Sequence, residues 1–138
     1  MPTRQSSAQW QGSLREGAGT MRLGSGAYEG PYSFASRFES GTGTNPEELI
    51  AAAHAGCYTM ALSSNLGKAG HTPTSIETTA SVHLEPPAGI TRIELVTRAV
   101  VPDLDDATFQ KIADETKDTC PVSKALSAVE ITLTAQLG

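Results

Sequence analysis

The chain has 138 residues, 38% of them hydrophobic, with a formal net charge of −5 and a pI near 5.1. That length suits one domain, residues 1–138, with a true core, and the acidic balance argues against a nucleic-acid partner, because phosphate binding calls for a basic face. No stretch reaches the roughly 18–20 apolar residues of a membrane span. Met1 to Trp10 hold neither an apolar run nor a small-residue cleavage pattern, so no signal peptide is expected and a cytoplasmic protein follows.

The first elements in chain order are Gly-rich strand candidates at Ala8–Leu14, Thr20–Leu23 and Tyr32–Glu39. In the last, Tyr32, Phe34 and Phe38 would share one face, with Ala35, Arg37 and Glu39 on the other. Gly24, Gly26 and Gly30 lack the spacing of a dinucleotide fingerprint and read as turns. A long helix is expected from Pro46 to about Lys68. Asn45 would cap it, Pro46 would fill its first position, Glu48 would complete a capping box, and Gly67 or Gly70 would end it.

Period-two alternation then marks three strands: Ile76 to Leu84, Ile93 to Val101, and Val129 to Leu137. Each has one apolar face, a pattern that suits antiparallel pairing, and Pro86-Pro87-Ala88-Gly89 reads as the turn between the first two. Between the second and third, Asp105 or Asp106 would cap a helix with Phe109, Ile112, Ala113 and Thr116 on one stripe. A shorter helix over Thr119 to Ala128 would have Pro121 in its first turn.

The only cysteines are Cys57, deep in the long helix among alanines and glycine, and Cys120, at the mouth of the short one. In a reducing compartment such a pair is more often catalytic or redox-sensing than a structural staple. Cys57 lies about three turns from the helix start, and the helix dipole fades within the first turn, so a cation is needed to activate it. Arg37 is the candidate, just before the loop Ser40–Thr44.

At 100° per residue Glu48 points about 180° away from Cys57, whereas Glu47 lies within roughly 80° of its face but about 15 Å down the axis. A second, antiparallel copy of the helix would bring a partner's Glu47 alongside Cys57. The small residues Ala51, Ala52, Ala53, Ala55 and Gly56 allow that approach. A homodimer whose active sites mix residues of both chains is therefore expected.

His54, one turn before Cys57, invites a Cys–His hydrolase reading. An i, i+3 pair on one helix constrains the ring poorly, and no orienting third group is apparent, so His54 reads as packing or interface. The three histidines show no metal-ligand spacing with either cysteine.

Asn45-Pro46-Glu47-Glu48-Leu49 leading to Ala53-His54-Ala55-Gly56-Cys57, followed by Cys120-Pro121-Val122-Ser123-Lys124-Ala125-Leu126, resembles the OsmC/Ohr family of bacterial thiol peroxidases, with the OsmC branch nearer. The resemblance runs from Trp10 to the last strand. It implies an α+β fold of antiparallel sheet and long central helices, intertwined as a homodimer. It implies that Cys57 is the peroxidatic thiol, Cys120 the resolving thiol, and Arg37 with Glu47 the activating pair. It further implies organic hydroperoxides as substrates, no bound cofactor, and an external dithiol reductant of the lipoyl type, free or on a lipoylated protein.

A thousandfold gain in acidity multiplies the thiolate of an ordinary thiol at pH 7 by about 30, while lowering its nucleophilicity by roughly 20. The two effects nearly cancel. Arg37 would therefore act mainly on the peroxide and the leaving oxygen, with Glu47 fixing its planar fork. Other classes for the same residues are a redox sensor that uses the pair without turnover, and a thiol hydrolase or transferase.

Overall fold

A computed structural model describes all residues from Met1 to Gly138, which divide into two compact units, Met1–Leu49 and Ile50–Gly138. In the first unit β1 (Ser6–Gln11), β2 (Ala18–Leu23) and β3 (Glu29–Tyr32) form an antiparallel sheet in chain order. Trp10 and Tyr32 flank Gly19 across the ladder, their rings 5.2 Å apart. A Cβ on Gly19 would lie 2.6 Å from both rings, so only glycine lets this aromatic pair close over the middle strand.

The segment Tyr32–Glu39, expected as a strand, leaves the sheet at Tyr32 and turns into a short helix, α1 (Phe34–Phe38). A serine pair decides it. Ser33 Oγ accepts the backbone N–H of Ser36 at 3.1 Å, and Ser36 Oγ accepts that of Ser33 at 2.8 Å, a reciprocal capping box. The aromatic spacing that suggested alternation serves the helix as well, because Phe34 and Phe38 are also an i, i+4 pair, with rings 4.9 Å apart. The buried Ser36 Oγ also donates to the carbonyl of Thr44 at 2.7 Å, and the Asn45 side-chain amide donates to the Ser36 carbonyl at 2.9 Å. These bonds tie α1 to the start of the next helix.

That helix, α2 (Pro46–Lys68), begins in the first unit and continues into the second. Asn45 Oδ1 accepts the Glu48 N–H at 2.7 Å, as expected of the cap. The Glu48 carboxylate accepts from the Thr44 hydroxyl at 2.7 Å instead of from the Asn45 backbone, so the expected reciprocal box is replaced by a side-chain bond. At the other end Gly70 takes φ +90°, and the N–H groups of Gly70 and His71 bond the carbonyls of Gly67 and Leu66, a Schellman closure.

In the second unit β4 (Ser75–Glu85) pairs antiparallel with β5 (Gly89–Val100). β6 (Glu130–Leu137) pairs with the other edge of β5 in parallel, where antiparallel pairing was expected. The reason is the connection: α3 (Asp106–Thr119) and α4 (Pro121–Ala125) fill the segment after β5. A crossover of that length returns the chain to the starting end of the sheet. Alternation reports which residues face the core and carries no information on strand direction.

The core lies within this unit. Tyr58, Leu62 and Leu66 of α2 pack with Ile93, Leu95 and Ala99 of β5 and with Phe109 and Ala113 of α3. Burial of each large member contributes about 1.5–3 kcal/mol. The expected α3 stripe is the buried face, with Asp105 as its cap. No helix is long and apolar enough to cross a membrane.

Ser36→Ala removes the acceptor of the Ser33 N–H and the donor to the Thr44 carbonyl in a buried position. It should destabilise the protein by about 1–3 kcal/mol, measured by urea unfolding. A loss below about 0.5 kcal/mol, the range of an ordinary surface change, would show that α1 does not depend on this serine.

Candidate functional site

The first unit holds an ion pair with fixed geometry. Arg37 Nε donates to Glu47 Oε1 at 3.1 Å and Nη2 to Oε2 at 2.9 Å, a two-point clamp that a lysine could not make. Glu47 is in the first turn of α2 and buried, whereas the Arg37 side chain remains 37% exposed. Nη1 of Arg37 makes no hydrogen bond within the chain. The guanidinium also lies 5.2 Å from the Phe38 ring centre. Arg37 borders a pocket of about 260 Å³ walled by Trp10, Leu14, Tyr32, Phe34 and Phe38, so this cation sits at the edge of an aromatic surface.

The second unit holds the thiols. Both cysteines are free; Cys120 is buried and Cys57 half-buried. Tertiary contacts bring them together. The Tyr58 hydroxyl donates to the Ala113 carbonyl at 3.0 Å, and the Asn65 side-chain amide donates to Thr116 Oγ1 at 2.8 Å, so α3 is bonded to α2 at two levels. Cys120 follows at once, its N–H bonded to the Thr116 carbonyl at 3.0 Å, and it caps α4. Its thiol then lies beside that of Cys57.

The α4 turn serves both sulfurs: the Ser123 N–H donates to Cys120 Sγ at 3.3 Å, and the backbone of Val122 lies near Cys57. Burial pushes the Cys57 thiol above its ordinary range. The Val122 amide opposes that, and the neighbouring Cys120 thiol adds to it. No cation of the same chain lowers it. Cys57 therefore rests as a neutral thiol beside Cys120.

The structure brings the four expected residues together in two constellations, Arg37 with Glu47 and Cys57 with Cys120. Arg37 stands on a helix, which the strand expectation for its segment missed. Reasoning from sequence did not single out Ser123, and it read His54 as packing or interface; the ring is fully buried and has a partner the sequence did not reveal. His54 Nε2 lies 2.7 Å from Ser123 Oγ, both residues are buried, and the Cys120 thiol donates to the same oxygen at 3.3 Å. His54 is therefore part of the cysteine site, but through Cys120. A hydroxyl three residues after Cys120, in the turn it caps, was the available signal. No group of three or more His, Cys, Asp or Glu side chains is placed to hold a metal ion.

The family description "OsmC-like protein" matches residues 39–134. The chain is 52% identical to the peroxiredoxin OsmC of Escherichia coli over 134 residues, 94% of this chain and 93% of that one. It is 32% identical over 101 residues to the organic hydroperoxide resistance protein of Xanthomonas axonopodis pv. citri, 68% of each chain. Among solved structures, an OsmC-like protein of Vibrio cholerae superposes with a TM-score of 0.75 over 98% of this chain and 99% of that one at 16% identity. The organic hydroperoxide resistance protein OhrB of Bacillus subtilis does so with 0.65 over 97% and 98% at 23% identity. At such identities the superpositions speak to the fold alone.

Burial holds the pKa of His54 below its ordinary 6.5, so the fold carries this ring neutral. A histidine with a depressed folded pKa contributes stability that is present above the unfolded value and is lost as pH falls through the folded one. Wild-type unfolding free energy should accordingly decline below pH 6.5 more steeply than that of His54→Gln. The difference should approach, at most, the one-proton slope of about 1.4 kcal/mol per pH unit. Urea titrations from pH 8 to 5 measure it, and parallel curves for the two proteins would show that His54 does not titrate against the fold.

Proposed function

The chain belongs to the OsmC-like family, and from that premise we propose that it is a cysteine peroxidase reducing organic hydroperoxides to alcohols. The observation that carries the reading is the pair of free thiols brought beside each other at the first turn of α4, with the Ser123 N–H donating to Cys120 Sγ. Relatives named peroxiredoxin and organic hydroperoxide resistance protein support it.

In the reaction, the Cys57 thiolate attacks the distal peroxide oxygen. The O–O bond breaks, the alkoxide leaves and takes a proton to become the alcohol, and Cys57 becomes a sulfenic acid. Cys120 condenses with it, giving a disulfide and water. An external dithiol of the lipoyl type, small or protein-borne, resets the pair by exchange. In the cytoplasm such a dithiol would keep both cysteines reduced between turnovers.

Burial disfavours the Cys57 thiolate, so a cation must be supplied to the site. We assign that role to Arg37, clamped by Glu47, of a second copy of the chain. Two features of the units support a homodimer. The exposed face of α2 is made of Ala52, Ala53, Gly56, Met60 and Ser64, with Met60 77% exposed. The first unit buries no large apolar side chain, although Trp10, Tyr32, Phe34 and Phe38 line its pocket. An apolar surface of that kind fits the organic part of a hydroperoxide, with Arg37 Nη1 free to hold the peroxide and the developing charge on its leaving oxygen.

Subunit mixing tests the shared site. Arg37→Ala and Cys57→Ser should each be inactive alone. Co-refolded in equal amounts they should regain about a quarter of wild-type activity, from mixed dimers with one intact site. No recovery, or a monomer by sedimentation, would refute the shared site.

Arg37→Lys keeps the charge and loses the clamp, and should lose most of the peroxidase rate, about 100-fold or more for a lost transition-state donor. Near-full activity would mean that two-point positioning is not what matters. Repeated turnover of cumene hydroperoxide with dihydrolipoamide separates an enzyme from a redox sensor, which would stop after one equivalent per subunit.

A further inference from the structure

His54 is fully buried, on the same helix as Cys57, yet its bonded nitrogen is turned to the residue that serves the other cysteine. The contacts form a continuous chain. The Cys120 thiol donates to Ser123 Oγ at 3.3 Å, which leaves the Ser123 hydroxyl hydrogen for His54 Nε2, 2.7 Å away. That order makes Nε2 the acceptor and puts the ring proton on Nδ1, which is buried and has no partner.

An unpaired buried polar atom costs about 1–3 kcal/mol, a cost that an apolar residue used purely for packing would not carry. The arrangement is thus a buried base connected through one hydroxyl to a reacting sulfur. We propose that His54 and Ser123 form a proton-transfer chain that deprotonates Cys120 as it attacks the Cys57 sulfenic acid.

The inference rests on the peroxidase reading and deepens it. An ordinary thiol is only a few per cent thiolate at pH 7, so the resolving step must remove a proton from Cys120. The balance is complete with the groups present. The Cys120 S–H bond breaks, its proton passes to Ser123 Oγ, and the Ser123 proton passes to His54 Nε2. The freed electron pair forms the S–S bond to Cys57, whose S–O bond breaks. The departing hydroxide takes the proton back through the same chain and leaves as water. The Cys57 sulfur is reduced, the Cys120 sulfur is oxidised, and no further reagent is needed.

Ser123 touches the reacting sulfur; His54 acts through it as a positioning residue. Burial favours the neutral ring, the form that can accept a proton. The other titratable groups near this chain are Cys57 and Tyr58 from α2, Asp114 of α3 acting on Tyr58, and Lys117, Asp118 and Lys124, which line the same pocket as Ser123 with Lys117 paired to Asp114 and Asp118; none of their side chains is hydrogen-bonded to Ser123 or His54.

The experiment follows one turnover of the full-length reduced protein with one equivalent of cumene hydroperoxide. Dimedone trapping and intact mass resolve sulfenic acid formation from disulfide formation. In Ser123→Ala and in His54→Gln, sulfenic acid should form at a rate within about twofold of wild type, while the disulfide forms roughly 100-fold more slowly, the scale of lost general-base catalysis.

The pH profile separates this chemistry from mere loss of packing. Wild-type disulfide formation should be nearly level between pH 7 and 8.5, whereas in both variants it should rise about tenfold per pH unit, because only solvent then ionises Cys120. Unchanged resolution in Ser123→Ala would overturn the relay. So would equal slowing of both steps, or a wild-type rate that itself rises tenfold per pH unit; that last measurement needs no variant. Two unreacted thiols in the wild type would instead remove the peroxidase reading and the relay with it.

Discussion

The chemistry of the second unit depends on how α2 is locked to the α3–α4 turn. Apolar contact alone would bury Tyr58, Leu62 and Phe109 without specifying rotation or register. Hydrogen bonds inside that contact specify both. Tyr58 to the Ala113 carbonyl, Asn65 to Thr116, and His54 to Ser123 are spread along α2 and meet successive levels of α3 and α4. Each contributes only about 0.5–1.5 kcal/mol net. Their larger effect is geometric: slipping one helix past the other would leave several polar atoms buried without partners. Cys120 lies between the Thr116 and Ser123 anchors, so its sulfur has little freedom beside Cys57.

The same contact sets the electrostatics. Burial disfavours the Cys57 thiolate and the His54 imidazolium alike, so both rest neutral, and the polar groups of the site are linked by hydrogen bonds instead of ion pairs. Charge that develops during the reaction meets a backbone donor already in place, the Ser123 N–H on Cys120.

The first unit is organised differently. Its fixed point is a charge pair at the partly exposed start of α2, and the Arg37–Glu47 clamp is worth more as geometry than as stability, because an arginine open to solvent is screened. The clamp rests on the Ser33–Ser36 box, the Ser36 bond to Thr44 and the Asn45 bond to Ser36. Small polar residues therefore aim the guanidinium at the aromatic pocket, where a strand would have directed alternate side chains to opposite faces.

Much of this was legible in the residues themselves. Alternation located β4, β5 and β6, and Asn45-Pro46 with Gly70 bounded α2 from end to end, because faces and caps are local properties of the chain. The motifs around Cys57 and Cys120 identified the thiols, and with them the family. Local pattern could not decide whether Phe34 and Phe38 marked a strand or a helix, since their spacing suits both periods, and it could not give the direction of β6. The neighbours of His54 were also out of its reach. A histidine three residues before a cysteine looks like that cysteine's partner, but helical geometry turns the ring to a residue 69 positions away. Local pattern in the chain was enough for the cysteine motifs, the ends of α2 and the alternating faces of β4, β5 and β6. Only tertiary packing decided which side chain faces which, because those distances close across segments far apart in the chain.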